Sequence, residues 1–576
     1  MTDVTLLPGA PSARRLDLSS DAAKARVRSR YRSEARFRWY GICAILVTAM
    51  FLVVLITDIL IKGLPAFTQH SISIDVPVTA ELADPEGKRT PEALAAGDYN
   101  ALVRNAVKSE LGIEGRAATS NLSKLLSTGS GDGLRDKVMS DPKLVGQTVP
   151  VTALLSDDAD LYLKGTGTKI ERADGAAIAT PSDIKGDITI TAPGAFAADT
   201  AVLRDVISKR VATLTAGAEL YEQSSDATIR DRAKPLREEI ATLAASISDP
   251  NAPALLGSHV PSFLIAVNGG IVKLTSLTSD TATGTALIPL KSAQAAQAGA
   301  WQRVTYVTPE ADRKVDDAKV ALLDRLQADG RVSRGFNTLF FTAGDSREAE
   351  LAGIRGALVG SILTLAVTLA LCLPIGVMAA VYFEEFAKKN WFTDLIEINI
   401  NNLAAVPSIV FGLLGLAVFL NFFGLPRSAP IVGGLVLALL VLPTIIIASR
   451  AALRAVPPSI KEAALGVGAS HQQAIFHHVL PLAMPGIMTG TIIGMAHALG
   501  ETAPLLMIGM VAFIVDIPAG FTDSATALPV QIYLWSDLPE AAFKQKTAAA
   551  IIVLLMLLFV MNGLAIWLRK RFERRW

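Results

Sequence analysis

Six runs of about 20 apolar residues dominate the sequence, and each is long enough to cross a bilayer as a helix. They lie at residues 40–61, 354–381, 398–423, 431–449, 485–511 and 548–568. Hydrophobic residues make up 51% of the 576-residue chain, which is high for a soluble protein. We therefore expect an α-helical polytopic membrane protein with six transmembrane helices.

The first apolar run, residues 40–61, follows a basic leader that is too long for an ordinary signal peptide. No cleavage site of small residues follows the run closely. We therefore predict that it is retained as a membrane anchor.

Basic residues flank the apolar runs at both ends of the chain, and six spans would place both ends on one side of the membrane. Lysine and arginine accumulate on the cytoplasmic side of membrane proteins, so both termini are predicted to be cytoplasmic. The residues concerned are Arg14, Arg15, Lys24, Arg26, Arg28, Arg30, Arg32, Arg36 and Arg38, and Arg569, Lys570, Arg571, Arg574 and Arg575.

A long polar stretch separates the first run from the other five, and this topology places it outside the cytoplasm. It contains no run long enough to span a membrane and is large enough to bury its own core. The predicted organisation is a basic tail at 1–39, a first helix at 40–61, a periplasmic domain at 62–350 and a five-helix core at 351–576.

The predicted periplasmic domain contains both helical and strand patterns, which indicates an α+β fold. Phe263–Val267 and Ile271–Leu274 flank Asn268-Gly269-Gly270, a sequence typical of a hairpin turn. Residues 187–191 alternate like a strand, residues 201–220, 228–247 and 310–328 are predicted helices, and the polar residues 275–285 are predicted to form an exposed loop.

The loop between the fourth and fifth runs, residues 457–481, carries the most specific local pattern. Ser459 and Glu462 form an S-x-x-E capping box, and Ser470 and Gln473 form an S-x-x-Q box. Gly466 and Gly468 stand between them. The pattern predicts two short helices joined at a glycine corner on the cytoplasmic side.

The first of these helices has a small apolar face formed by Ile460, Ala463, Ala464 and Val467 at helical spacing. Such a face suits a groove on a partner protein. The alternative is a plain helix on the membrane surface, with Glu462 acting only as a cap.

The residues Glu462-Ala463-Ala464, Gly468 and Leu480-Pro481 resemble the EAA loop of bacterial ABC importer permeases, although His478 stands where that family usually has an aliphatic residue. The resemblance implies that this loop is a coupling helix in a cleft of a cytoplasmic ATPase. Glu462, Ala463, Ala464 and Gly468 would then be the ATPase-coupling residues.

Three further blocks, at residues 405–415, 480–487 and 498–506, are similar to the A-subunit type of the phosphate-specific ABC permease. The resemblance covers about residues 336–576. It implies a bacterial inner-membrane permease subunit for phosphate. Its partners would be two copies of an ATPase, a second permease of the C type, a periplasmic phosphate-binding protein and membrane lipid. The large outer domain is an enlargement over the compact family form.

Five residues within the apolar runs are candidates for the substrate pathway: Pro407, Ser408, His497, Glu501 and Thr502. A break at Pro407-Ser408 would expose backbone amides, which bind anions, and the alternative is a simple proline kink. His497 and Glu501 are four residues apart and would share a helix face. Glu501 is predicted to position a cation rather than to touch phosphate, and the alternative is a structural bond between helices.

The sequence offers no enzyme site, cofactor site or nucleic-acid signal. Gly165-Thr166-Gly167-Thr168-Lys169 lacks the phosphate-loop spacing, and the six histidines form no metal-ligand motif. Cys43 and Cys372 both lie in apolar runs. Two other functions stay open: an ABC permease for another oxyanion or small solute, and a membrane-anchored sensor with a periplasmic ligand-binding domain. A sensor would need a cytoplasmic output domain, for which the predicted organisation leaves no segment.

Overall fold

A computed structural model describes residues 21–112, 116–166, 169–249, 252–511 and 513–572. Arg14, Arg15, Arg574, Arg575 and part of the glycine-rich segment 165–169 lie outside the described residues. The chain divides into two compact units, residues 1–62 and residues 63–576.

The first unit is formed by helix α1 (Asp21–Gly63), which contains the first apolar run. The most apolar part of this helix is exposed, from Ile45 through Leu55. An exposed apolar helix of this length is suited to lipid rather than to water.

Residues 68–336 of the second unit form an α+β region, as the sequence predicted. Its strands are β1 (Thr68–Pro77), β2 (Thr148–Leu154), β3 (Ile170–Asp174), β4 (Thr180–Pro181), β5 (Asp187–Thr191), β6 (Ala254–Leu255), β7 (Ser262–Val267), β8 (Gly270–Leu277), β9 (Thr281–Ile288), β10 (Gln302–Tyr306) and β11 (Val332–Phe336). Its helices are α2 (Ala80–Ala83), α3 (Pro91–Ala95), α4 (Tyr99–Glu110), α5 (Arg116–Leu125), α6 (Asp132–Ser140), α7 (Asp157–Leu163), α8 (Ala197–Glu222), α9 (Ala227–Arg230), α10 (Ala233–Ser248) and α11 (Asp317–Ala328).

The strands form two antiparallel sheets with the orders β11-β1-β2 and β3-β10-β7-β8-β9-β5-β4, and β6 pairs with β8. Side chains alternate between the faces of a strand. Phe263, Ile265 and Val267 on β7 therefore enter one apolar core, while Leu264 enters a second core against α4 and α11.

The predicted hairpin is confirmed between β7 and β8. Val267 pairs with Gly270, and the two residues between them, Asn268 and Gly269, both have positive φ values of 48° and 71°. Positive φ at both central residues is the requirement of a type I′ turn, which asparagine followed by glycine satisfies at low cost.

Three predictions in this region need correction. Residues 275–285 are not a loop, because they contain the end of β8 and the start of β9, in which threonines fill strand positions. The helix predicted at 228–247 is divided into α9 and α10. The helix predicted at 310–328 begins at Asp317, after Asp316 caps it by accepting from the amide of Lys319.

A buried polar cluster joins the α+β region to the last apolar helix, α22 (Ala541–Phe572). The Lys546 ammonium of α22 donates to the carbonyl of Ala352 and shares a small cleft with Asp160 of α7. Burial raises the pKa of Asp160, but its hydrogen bond to His70 and the nearby Lys164 ammonium together hold that pKa below its usual value. The cleft therefore lies between α7 of the α+β region and α22.

The remaining helices are α12 (Leu339–Thr342), α13 (Arg355–Val381), α14 (Trp391–Ala404), α15 (Ser408–Gly415), α16 (Pro430–Arg454), α17 (Pro458–Gly466), α18 (His471–Ala474), α19 (Leu480–Gly500), α20 (Ala503–Met507), α21 (Leu528–Ser536) and α22. Among the described residues, five helical segments are long and apolar enough to cross a membrane. The number is six if the bent pair of α14 and α15 counts as one span.

Glycines permit close packing in the apolar core. A β-carbon at Gly490 would lie 2.2 Å from the β-carbon of Ala448, which is too close for any side chain. Glycine at this position therefore allows α19 and α16 to pack closely against each other. A β-carbon at Gly360 of α13 would lie 2.0 Å from the carbonyl oxygen of Thr526, which belongs to the segment before α21. Gly360 therefore packs against a connecting segment, whereas Gly490 packs against a helix.

Candidate functional site

The loop at 457–481 folds as two short helices, α17 and α18, around a glycine corner. Gly468 has φ of +93°, a conformation that side-chain-bearing residues rarely adopt. Ser470 and Gln473 form the predicted capping box at the start of α18. From Ile475 to Val479 the backbone makes a π-helical turn that leads directly into α19.

The predicted capping box of Ser459 and Glu462 is absent, and the structure corrects it. Helix α17 already begins at Pro458, with Pro457 as its N-cap and no side-chain cap bond. Proline suits the first helical position because its missing amide hydrogen has no acceptor there. Ser459 and Glu462 therefore lie inside the helix, and the Glu462 side chain is exposed.

Only part of the predicted apolar face of α17 is exposed. Ala464 is buried against the chain, whereas Ala463 is exposed and Val467 is 88% exposed. The exposed surface of α17 thus presents Glu462, Ala463 and Val467 together.

Three contacts with the end of α13 hold this loop, and none of them was predicted from the sequence. The Lys461 ammonium lies 2.5 Å from the Glu385 carboxylate. The His471 ring nitrogen lies 3.0 Å from the Glu385 carbonyl oxygen, and the His471 ring packs edge-on against Phe386. Lysine and glutamate 76 residues apart give no local signal of their pairing.

The third apolar run is broken at Pro407. Helix α14 ends at Ala404, α15 begins at Ser408, and the two segments are bent by 102°. The first amides of a helix have no acceptor within it, so the start of α15 at Ser408 presents backbone donors. The predicted span at 398–423 also begins earlier than expected, because Asn390 caps α14 through the amides of Phe392 and Thr393.

His497 and Glu501 are in contact, with 2.8 Å between the ring nitrogen and the carboxylate. Glu501 lies just beyond the carboxyl end of α19 rather than inside a helix, because α19 ends at Gly500 and Glu501 is extended. The span predicted at 485–511 is therefore interrupted, and α20 starts after Thr502. A carboxylate at this negative end of the helix dipole is disfavoured unless a cation such as protonated histidine accompanies it.

The two interrupted spans pack against each other. A β-carbon at Gly412 of α15 would lie 2.8 Å from the Cα of Pro504 in α20. The segment that begins at Ser408 and the segment that follows Glu501 and Thr502 are thus in direct van der Waals contact. Asn399, Asn401 and Asn402 on the neighbouring α14 are exposed.

Two family models match the chain. Residues 372–576 match the binding-protein-dependent transport system inner membrane component. Residues 24–172 match a domain of unknown function, DUF3333, which covers α1 and the first part of the α+β region.

The phosphate transport system permease protein PstA 1 of Mycobacterium tuberculosis is 31% identical over 228 residues, which are 40% of this chain and 74% of that protein. The chain belongs to the PstA family of permeases. PstC of Haemophilus influenzae is 29% identical over 237 residues, 37% of this chain and 73% of PstC. This PstA-type chain is a permease subunit of an ABC importer, and it is a transport component rather than an enzyme.

Among solved structures, the MetNI methionine ABC transporter in an inward-facing conformation has a chain that is similar over 38% of this chain and 95% of its own length, with 16% identity and a TM-score of 0.30. The family assignment rests on the sequence relatives.

Proposed function

We propose that this chain forms half of the translocation path of an ATP-driven phosphate importer. The observation that carries the proposal is its 31% identity to a phosphate transport permease over 74% of that relative. The block Gly500-Glu501-Thr502-Ala503-Pro504-Leu505, which the sequence analysis associated with phosphate permeases, lies where α15 and α20 pack together.

The partners in this proposal are two copies of an ATPase, a second permease of the C type and a periplasmic phosphate-binding protein. The similarity to PstC supports a heterodimer of related permeases. Glu462, Ala463, Ala464 and Gly468 are proposed to meet the ATPase, since the exposed part of α17 carries the first two of these residues.

The proposed path runs along α15 and the end of α19, past Pro407, Ser408, His497, Glu501 and Thr502. Phosphate that loses its water needs hydrogen-bond donors. The backbone amides at the start of α15 and the exposed side-chain amides of α14 are suitable donors. Glu501 would hold a cation in position, because a carboxylate repels phosphate.

The proposed topology has six spans, with α14 and α15 together forming one, cytoplasmic termini and the α+β region in the periplasm between the first two spans. The proposed domains are those of the sequence analysis: 1–39, 40–61, 62–350 and 351–576, with the coupling loop at 457–481. The α+β region lacks a long apolar helix within its described residues, which suits an aqueous compartment.

Cysteine labelling tests the topology. In a variant without Cys43 and Cys372, we expect an impermeant maleimide to label Leu220→Cys in intact spheroplasts, because Leu220 is 72% exposed on α8. Val467→Cys, which is 88% exposed on the coupling loop, should react only after the membrane is opened. Labelling of Val467→Cys in intact spheroplasts would overturn the topology.

Reconstitution tests the function. Proteoliposomes that contain the chain, its ATPase, the second permease and the binding protein should take up labelled phosphate in the presence of ATP, and omission of any one subunit should abolish uptake. The chain alone should hydrolyse no ATP. Faster uptake of sulfate or another solute than of phosphate would favour the alternative permease function. Ligand-dependent signalling by the chain without uptake would favour the sensor.

A further inference from the structure

Two adjacent glutamates, Glu384 and Glu385, lie on a π-helical turn at the carboxyl end of α13. The turn covers Tyr382–Phe386 and closes with a 2.8 Å hydrogen bond from the Ala387 amide to the Tyr382 carbonyl. The two carboxylate side chains are only 12% and 11% exposed. A π-helical turn is rare and is often found at a functional site.

The neighbouring carboxylates face different parts of the chain. Glu385 pairs with Lys461 of the coupling loop, as described above. Glu384 instead accepts from the guanidinium groups of Arg450 and Arg454 on α16, at 2.6 Å and 2.8 Å.

Arg450 extends the connection to the broken span. Its second guanidinium nitrogen lies 3.0 Å from the carboxylate of Glu397 on α14, and its guanidinium lies 5.7 Å from the centre of the Phe383 ring. The Arg450 side chain is 10% exposed. The ion pairs thus form a series in two parts. Lys461 pairs with Glu385, and the adjacent Glu384 connects through Arg450 to Glu397 on α14, the helix that leads to the bend at Pro407.

The charges in this series balance, with three carboxylates and three cations: Glu384, Glu385 and Glu397, and Lys461, Arg450 and Arg454. Breaking a poorly solvated pair leaves an uncompensated charge, which costs more than the intact pair contributes. The coupling loop, α16 and α14 are therefore expected to move together with the end of α13.

We propose that Glu384 and Glu385 form a transmission clamp, which carries movement of the coupling loop through Arg450 to α14 and the bend at Pro407. The proposal rests on the proposed function, since it requires the loop to meet an ATPase. Glu384, Glu385, Lys461 and Arg450 act in it as positioning residues, which hold helices in place without touching phosphate.

A charge swap tests the clamp in the reconstituted complex described above. Lys461→Glu and Glu385→Lys should each lower the number of phosphate ions carried per ATP hydrolysed by about fivefold or more, within the range of interaction energies between contacting residues. The ATPase should still co-purify with each variant. The double variant Glu385→Lys/Lys461→Glu should recover at least half of the wild-type ratio, because it restores the pair.

Two further variants separate the clamp from general effects of charge. Lys389→Glu reverses an exposed charge four residues after Glu385 and should leave the ratio unchanged. Arg450→Lys keeps the charge, but a single ammonium does not reproduce the forked contacts to Glu384 and Glu397, so the ratio should fall while assembly persists.

The clamp would be contradicted if both single variants carried as many phosphate ions per ATP as the wild type. It would also be contradicted if the double variant recovered neither assembly nor transport. A wild-type complex that carries no phosphate would count against the proposed function. If the wild-type complex carries phosphate normally and Arg450→Lys, Lys461→Glu and Glu385→Lys keep its ratio, the result would count against the clamp but not against the proposed function.

Discussion

Glu501→Gln is expected to reduce phosphate uptake by at least about tenfold, the effect of roughly 1.4 kcal/mol. Glutamine keeps the shape of the side chain but removes the negative charge that holds a cation in the proposed path. The Glu501 side chain is only 17% exposed and contacts His497, so little water is present to replace this interaction. Uptake is measured with complexes that are shown to contain all subunits.

Two matched variants show whether the charge of Glu501 acts in the path. His497→Ala should have a milder effect if the main cation comes from the partner permease, because the His497 side chain is 56% exposed. Asp537→Asn makes the same carboxylate-to-amide change at an exposed position after α21 and should transport normally. Full uptake by the Glu501→Gln complex would reduce the carboxylate to a packing detail and remove Glu501 from the proposed path.

Gly468→Asp should uncouple transport from ATP hydrolysis and lower uptake by about tenfold, since the backbone at Gly468 lies beyond the left-handed region that aspartate tolerates. The cause is backbone strain rather than crowding. Gly468 has φ of +93°, yet no atom lies within 4 Å of a β-carbon built there. Relief of the strain would turn α17 relative to α18 and displace the surface proposed to meet the ATPase.

The chain provides a close control in Gly466→Asp. Gly466 also has open space around a β-carbon, but its φ lies outside the strained range. The same added charge two residues away should therefore affect uptake far less. Equal losses in the two variants would mean that charge, and not the corner at Gly468, causes the defect. In both cases the amount of protein in the membrane serves as the reference.

Glu462→Lys tests the remaining part of the proposed coupling surface. Because Glu462 lies inside α17 and does not cap it, charge reversal there removes no capping bond. A transport defect in this variant would therefore report on contact with the ATPase rather than on helix stability. Normal phosphate uptake by Glu462→Lys would contradict its assignment as a coupling residue.

The sequence by itself determined the features that depend on a few neighbouring residues. The apolar runs identified the helices that could cross a membrane, since bilayer thickness sets their length. Asn268 and Gly269 specified a hairpin because few residues adopt positive φ, and Ser470 and Gln473 specified a helix start because their side chains reach the adjacent amides. The family resemblance also depended on such short blocks.

Local patterns were insufficient where two local signals compete. Ser459 and Glu462 match a capping box, but Pro458 already occupies the first position of α17, which places Ser459 inside the helix. The fifth apolar run is continuous in composition, yet α19 ends at Gly500. The extended backbone of Glu501 separates α19 from α20, which starts two residues later at Ala503.

Only the tertiary structure decided which distant residues meet. Lys461 and Glu385 are 76 residues apart, and Gly412 reaches Pro504 only because α15 and α20 pack side by side. Such contacts depend on the burial of whole helix faces and on the pairing of partly buried charges, and neither is encoded within one turn of helix. The sequence therefore indicated the apolar helices and the two short helices of the loop at 457–481, whereas packing decided that the end of α13 connects that loop to α14.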